Sequence, residues 1–177
     1  MAQITKLWIA EKMRELLKQK PLDKLRVTEI CQAAGIERPT FYYHFRDKYD
    51  LMAWMFCHSA AETDVVSAES SAEAMRRMKS DILFYRRAYE DSSQNALWKY
   101  MHEYFVRRYT ALAKEKLGVD TLDTQLAYSI RFYCMGAVGM TQEWVLNDNI
   151  TSTETVVRMM FASMPENMRA AVFGESI

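Results

Sequence analysis

The feature that most constrains this chain is its scarcity of helix-breaking residues, since 177 residues contain only 5 Gly and 3 Pro. Helix interiors tolerate these two residue types least, and turns between strands need them most. Half of the residues are apolar and 26% are charged, a composition that supports a packed core and excludes a disordered chain. The sequence therefore predicts long helices rather than short strands, in a chain the size of one large domain or two small ones.

The chain carries no pattern typical of membrane insertion or export. No segment approaches about 18 uninterrupted apolar residues, so we expect no transmembrane span. The first residues reach a charge at Lys6 and lack the apolar core of a signal peptide. Cys31, Cys57 and Cys134 are odd in number and widely spaced, which favours buried thiols in a reducing compartment. We therefore expect a cytoplasmic protein with no membrane partner.

Charge is unevenly distributed along the chain, although its net value is zero. Residues 1–50 carry ten Lys or Arg and seven Asp or Glu, a net charge of +3, and the remaining residues carry −3. A basic N-terminal segment on an acidic remainder indicates a polyanionic partner for that segment alone. The asymmetry is modest, so its meaning depends on the motif within the segment.

Apolar residues recur at helical spacing, and clusters of turn-forming residues interrupt them. The first helix is predicted over about 3–18. Thr28 is predicted to cap a short second helix that ends at Gly35, and Pro39 to stand in the first turn of a third. Asp47 is predicted to cap a fourth helix that reaches the low sixties. Later helices are predicted over about 71–91, 93–117, 121–147 and 152–172.

Two short helices joined through Gly35 are typical of a helix-turn-helix, whose second helix enters the major groove of DNA. Ile30, Ala34 and Phe41 are predicted to pack the two helices together and to leave polar side chains of the second helix exposed. Such side chains can contact base edges, and the surrounding rim can bind phosphates. A structural three-helix unit without nucleic acid is the alternative. The predicted DNA-binding residues are Thr28, Arg38, Pro39, Thr40, Tyr42, Tyr43, His44 and Lys48.

This segment, over about residues 5–55, is similar to the N-terminal DNA-binding domain of the TetR/AcrR family of transcriptional regulators. The resemblance implies an all-α fold of about eight or nine helices. A three-helix helix-turn-helix domain would occupy residues 1–50, and a helical effector-binding and dimerisation domain would occupy residues 51–177. It further implies a homodimer on a near-palindromic site in double-stranded DNA, released by a small-molecule effector. The positions in register with the family pattern are Thr28, Ile30, Ala34, Gly35, Ile36, Thr40, Phe41, Tyr42, Phe45, Lys48 and Leu51.

Two residues depart from the family pattern. Cys31 replaces the usual alanine, a change of size that we expect the core to absorb. Glu37 stands where a Ser or Thr N-cap is common, so the third helix is expected to begin differently. The Glu37 carboxylate could select a cytosine amino group or repel phosphate, and the sequence leaves both open.

The C-terminal region is similar to dihydroxyacetone-kinase-operon activator-type members of the same family. The run from Phe132 to Trp144 and the pair Met164-Pro165 carry this second resemblance. It leaves open an activator controlled by a protein partner, in place of a repressor released by a small molecule. A helical interaction protein without DNA binding is a further alternative, which Glu37 alone supports.

The later helices are rich in Met and aromatic residues, which form either an adaptable apolar pocket or an ordinary helical core. For a pocket, we expect a mostly apolar effector with one or two polar groups, because few charged residues share these helix faces. The candidate lining residues are Tyr85, Tyr89, Trp98, Met101, Tyr104, Phe105, Tyr133, Met140 and Trp144.

The helices at 121–147 and 152–172 are predicted to form a four-helix interface with a second copy of the chain. Gly136 and Gly139 interrupt the first of them, at a cost of about 1 kcal/mol each relative to alanine. We expect the close approach of another helix to compensate, in preference to ligand contact. The residues predicted at the dimer interface are Leu126, Ile130, Ala137, Val157, Met160 and Met164.

No pattern predicts catalysis, a metal site or a cofactor. Ser, His and Asp occur without the arrangement of a triad, and no glycine motif for phosphate or dinucleotide binding is present. His58 and Glu62 are one helical turn apart, but a metal site needs more donors. We therefore expect a regulator rather than an enzyme.

Overall fold

The computed structural model describes residues 2–63, 66–90, 97–147 and 150–174, with backbone alone at 61–63. All regular secondary structure in these residues is helical, which confirms the predicted all-α fold. A single turn of 3₁₀ helix at Leu22–Lys24 lies between the first two of ten α helices. The α helices in the described residues are α1 (Ala2–Leu17), α2 (Val27–Ala34), α3 (Arg38–His44), α4 (Lys48–Thr63), α5 (Ala68–Ser80), α6 (Ile82–Tyr89), α7 (Leu97–Leu117), α8 (Thr124–Leu146), α9 (Thr153–Ala162) and α10 (Glu166–Phe173).

The helix count exceeds the predicted one because two predicted helices are each divided. The segment predicted at 152–172 divides at Pro165, which cannot extend a helix and restricts the residue before it. The segment predicted at 71–91 divides at Asp81 into α5 and α6. No breaker residue marks this second division. The Asp81 carboxylate pairs instead with Arg14 from α1, a distant contact for which the local sequence carries no signal.

The predicted helix caps are confirmed at α4 and wrong at α2. Asp47 Oδ1 accepts two hydrogen bonds of 2.8 Å from backbone N–H groups in the first turn of α4. Helix α2 begins before Thr28, which lies inside its first turn. Its N-terminus is closed by the Glu29 carboxylate, which accepts a hydrogen bond of 2.9 Å from the Arg26 backbone N–H.

Helix α1 connects the helix-turn-helix segment to the later helices. Its buried face, with Ile9, Met13 and Leu17, packs against α2, α3, α4 and α6. These residues belong to one apolar cluster that continues into α5, α7, α8 and α9. A second cluster around Ile130 and Met168 lies among α7, α8 and α10. Apolar packing is therefore continuous across the predicted domain boundary at residue 50.

One ion pair links α1 to the junction of α5 and α6. The Arg14 guanidinium pairs with the Asp81 carboxylate, and both side chains are largely buried. The Arg14 Cζ atom also lies 4.3 Å from the centroid of the Phe84 ring, a cation–π distance. The position of α1 therefore depends on α6 through charge as well as through apolar packing.

Replacing Arg14 with methionine is expected to weaken the contact between α1 and α6. Methionine keeps an apolar stem but leaves the Asp81 carboxylate without its largely buried partner. We expect the free energy of unfolding in urea to fall by roughly 1.5–3 kcal/mol. Arg77→Met is the matched control, because it removes an exposed pair with Glu73 and should cost less than about 1 kcal/mol. Equal losses in the two variants would contradict a structural role for the Arg14 pair.

Candidate nucleic-acid interface

Helices α2 and α3 meet at a turn that requires glycine. Gly35 has φ 64° and ψ 34°, a left-handed conformation that residues with a side chain rarely adopt. The Ile36 N–H donates a hydrogen bond of 3.0 Å to the Cys31 carbonyl across this turn. The predicted end of α2 at Gly35 is thus confirmed. Cys31 itself is buried, so the core absorbs the larger side chain as expected.

Helix α3 presents one face to the core and the other to solvent. Phe41 is fully buried, and Phe45 beyond the end of the helix is nearly so, with their ring centroids 5.9 Å apart. His44 is half-buried. The exposed residues of the helix are Arg38, Pro39, Thr40, Tyr42 and Tyr43, all of which were predicted at the DNA interface.

The exposed face of α3 combines a cation with hydroxyl groups. The Arg38 Nη2 atom donates a weak hydrogen bond of 3.4 Å to the Tyr42 hydroxyl, and both side chains remain exposed. Tyr43 is 81% exposed, and its ring meets the His44 ring edge-on at 4.9 Å. Such groups on one helix face can donate to and accept from base edges.

The start of α2 adds a rim to this surface. Thr28 is exposed in the first turn of the helix, and the Arg26 side chain next to it is 79% exposed. The Lys20 ammonium and the Arg26 backbone N–H hold the pKa of the Glu29 carboxyl at about 2. Sequence reasoning missed Arg26, although a basic residue directly before a predicted helix start is a usable signal. Because the Glu29 carboxylate already closes the helix N-terminus, the groups here that suit a phosphate are the Thr28 hydroxyl and the exposed Arg26 guanidinium.

Lys48 has a structural role in the chain, which argues against its predicted contact with DNA phosphate. Its Nζ atom donates to the carbonyls of Leu22 at 2.7 Å, Asp23 at 2.9 Å and Leu25 at 2.8 Å. An ammonium group has three N–H donors, so these bonds use all of them. Lys48 thereby fastens the start of α4 to the connection between α1 and α2.

Glu37 occupies the N-cap position of α3 but makes no capping hydrogen bond with its side chain. The helix therefore begins without a Ser or Thr type of cap, as expected, and Pro39 in its first turn supplies a favourable backbone angle. The Glu37 side chain is exposed next to Arg38. Its effect on base preference stays a prediction with two alternatives.

Beyond α3, two concavities lie among the later helices, and the predicted effector-pocket residues divide between them. The first, which we call the inner cavity, has a volume of about 90 Å³ and lies among α4 to α9. The second, which we call the outer groove, has a volume of about 380 Å³ and lies between α8 and α9. The predicted residues on the inner cavity are Tyr85, Met101, Phe105 and Tyr133. Those on the outer groove are Met140, Trp144 and again Tyr133.

Three predicted pocket residues lie outside both concavities. Tyr89 is buried, with its hydroxyl against the Met101 sulfur. The Trp98 ring lies 5.6 Å from the Lys99 ammonium, and the Tyr104 ring packs edge-on against Phe56. The predicted pocket residues therefore do not all line one concavity, because helical spacing shows which residues share a face but not which helix covers it.

The predicted dimer-interface residues lie mainly inside one chain. Leu126, Ile130, Val157 and Met164 are at most 5% exposed and belong to the two apolar clusters. They have no surface to offer a second chain, so their assignment to an interface is wrong. The remaining two, Ala137 and Met160, are half-buried.

The expected close approach of a helix to Gly136 and Gly139 is absent within the described part of the chain. A Cβ atom built on either glycine would meet nothing within 4 Å. Both glycines are exposed on α8, and Gly136 lines the outer groove. The surface above them is therefore left open by the described residues of the chain.

Two kinds of feature are lacking from the described ranges. The described residues contain no group of three or more His, Cys, Asp or Glu side chains placed to bind a metal ion. Nor does any helix of those ranges combine the length and apolar character of a membrane span.

This arrangement, a helix-turn-helix with an exposed second helix on an all-helical body, is matched by two family models. Residues 9–54 match the bacterial regulatory proteins of the tetR family, and residues 69–166 match a transcriptional regulator C-terminal region. The second match alone covers more than half of the chain. The chain therefore belongs to the TetR family of transcriptional regulators, which are not enzymes, as the sequence predicted.

Two relatives extend the comparison. Over 59 residues the chain is 34% identical to the HTH-type dhaKLM operon transcriptional activator DhaS of Lactococcus lactis subsp. lactis (strain IL1403). That match covers 33% of this chain and only 32% of the relative. A solved structure titled dihydroxyacetone kinase operon activator DhaS superposes with a TM-score of 0.61, over 91% of this chain and 96% of that one. At 18% identity, this likeness concerns the fold alone.

Replacing Lys48 with methionine is expected to destabilise the protein rather than to weaken phosphate binding. Three carbonyls would lose a charged donor, so we expect the free energy of unfolding to fall by about 2–4 kcal/mol. Lys24→Met is the control, because it removes the same charge from a side chain that is 75% exposed. The salt dependence of DNA binding by folded Lys48→Met protein should equal that of the wild type. A normal melting temperature with a shallower salt dependence would instead restore the phosphate contact.

Proposed function

We propose that this chain binds double-stranded DNA as a homodimer through the exposed face of α3, and that the later helices control its affinity for the operator. The observation that carries the proposal is the orientation of α3. Phe41 is fully buried while Arg38, Thr40 and Tyr43 face solvent, as a recognition helix requires. Membership of the TetR family supports the same proposal.

The chemistry of this face supports contact with bases as well as with phosphates. The Arg38 guanidinium has donors in a fork that matches the O6 and N7 acceptors of guanine. The hydroxyls of Thr40 and Tyr43 can donate or accept. Thr28 and Arg26 flank this face at the start of α2 and are suited to the DNA backbone.

Replacing Arg38 with alanine is expected to relax base preference at one position of each half-site by about 1–3 kcal/mol. Binding is measured by fluorescence anisotropy on DNA from upstream of the gene for this chain and on single-base variants of that DNA. Arg77→Ala, which removes an exposed arginine from α5, should leave the preference unchanged. A uniform weakening across all base variants would make Arg38 a phosphate contact instead.

An exposed apolar stripe on α8 supports dimerisation through a different surface from the one that the sequence predicted. Tyr128, Phe132 and Met135 share one side of the helix, Met140 lies further around it, and the four are 47–73% exposed. Met159 on α9 is exposed as well and lines the outer groove with Phe132. Contiguous apolar surface of this kind marks an interaction site, and the open space above Gly136 and Gly139 admits a second helix.

Replacing Phe132 with glutamate is expected to produce a monomer, because each chain would have to bury an unpaired charge in an apolar interface. Sedimentation velocity at micromolar concentration measures the oligomeric state. Leu117→Glu alters a side chain of α7 that is 50% exposed and should leave the dimer intact. The Phe132→Glu protein should also lose affinity for a two-half-site operator, because the second site no longer gains effective concentration. Monomeric wild-type protein would contradict the proposed interface.

Two candidate modes of control remain, and a specific observation favours each. A small, mostly apolar effector is favoured by the Met-lined inner cavity. A protein partner is favoured by the small volume of that cavity, since common ligand pockets measure about 300–1,000 Å³. The relative named a transcriptional activator supports an activator rather than a repressor. Titrating the DNA complex with ligands and then with proteins encoded near its gene distinguishes the two modes.

A further inference from the structure

We propose that the inner cavity selects a small uncharged compound with a carbonyl or hydroxyl oxygen, which hydrogen-bonds to Tyr109. This inference names a ligand class for the small-molecule mode of control in the proposed function. It rests on the proposed function only in expecting that the ligand changes DNA affinity. Tyr109 was not among the predicted pocket residues, although it lines the cavity.

The size of the inner cavity limits what it can hold. A cavity of about 150 Å³ in another protein takes up benzene, so the 90 Å³ here corresponds to about four non-hydrogen atoms. Four methionines are among its lining residues and can adjust to a ligand of this size. They are Met75, Met78, Met101 and Met160.

Three phenol groups, those of Tyr85, Tyr109 and Tyr133, line the cavity together with the hydroxyls of Ser59, Ser71 and Thr141. Tyr109 and Tyr133 are 4% and 7% exposed, and their rings meet edge-on with centroids 6.0 Å apart. Buried phenols normally have a hydrogen-bond partner, yet neither hydroxyl has one among the described residues. Among the described residues, Arg87 Nε is the one fully enclosed side-chain nitrogen or oxygen atom that lacks a hydrogen-bond partner. The phenol oxygens of Tyr109 and Tyr133 also lack a partner but are not fully enclosed, so each opens onto free space. Tyr133 lies between the two concavities, whereas Tyr109 lines the inner cavity alone.

The absence of charge determines the ligand class. No Lys, Arg, His, Asp or Glu is among the described side chains that line the cavity. Burial raises the pKa of Tyr109 and of Tyr133, and raises the pKa of the Cys134 thiol to about 12. All three groups are therefore neutral at physiological pH. A charged ligand would lose its hydration without gaining a counter-ion, which is strongly unfavourable.

Three planar compounds of the same shape test this assignment. Acetone carries an oxygen, isobutene carries a CH₂ group in its place, and acetate carries a negative charge. Each is titrated into the full-length protein with ¹³C-methyl methionine, and the shifts of the four cavity methionines are followed by NMR. We expect saturable shifts with acetone and none with acetate.

The Tyr109→Phe variant isolates the hydrogen bond. It should weaken acetone binding by about fivefold and leave isobutene binding unchanged, since only acetone accepts a hydrogen bond. Tyr100→Phe, which alters a half-buried phenol on α7 that lines neither concavity, should change neither affinity. The proposal is overturned if Tyr109→Phe affects both compounds equally, if acetate binds, or if no compound shifts the cavity methionines.

The same samples separate this inference from the proposed function. DNA affinity is measured with and without saturating acetone. If acetone binds saturably and Tyr109→Phe weakens that binding, the cavity assignment is supported. This holds even if acetone leaves DNA affinity unchanged, a result that would contradict only the effector role. Tight DNA binding with no methionine shift overturns the cavity assignment alone.

Discussion

The burial of Phe41 is the contact on which the proposed DNA-binding surface depends. Helix α3 has seven residues, and a helix of that length is not stable in water by itself. Its contacts with α1 and α2 hold it in place, with Phe41 fully inside the shared core. Because side chains have fixed directions around a helix, this one buried ring also determines which residues face outward. Arg38 and Tyr43 are exposed for that reason, and their chemistry becomes available to DNA only through the packing behind them.

The same core continues into the later helices, and this continuity gives control a physical route. Tyr85 lines the inner cavity, and its neighbour Phe84 packs against the Arg14 guanidinium of α1. Under the proposed function, a molecule that alters the cavity wall acts on the helix, α6, that holds α1 through Asp81. A ligand changes DNA affinity only if it binds two arrangements of these helices unequally. The ion pair between Arg14 and Asp81 is a contact that two such arrangements can make differently.

Helix α8 shows why a correct pattern led to a wrong surface. It carries two apolar stripes, one with Leu126 and Ile130 in the core and one with Phe132 and Met140 at the surface. Both stripes have helical spacing and similar hydrophobicity, so periodicity alone cannot rank them. The packing of α7 and α10 decides which stripe is buried within the chain. The prediction that α8 contributes to a dimer interface remains, but the residues proposed for it are now those of the exposed stripe.

The sequence by itself determined the features that depend on one residue and its nearest neighbours. Scarce Gly and Pro predicted an all-α chain, and Gly35, Pro39 and Asp47 marked helix ends through their own backbone or side-chain chemistry. Only the tertiary structure decided the features whose partners are remote in the chain. Lys48 meets carbonyls 23 to 26 residues away, and Asp81 meets an arginine 67 residues away. Local patterns carry no information about such partners, because the folded path of the chain brings them together.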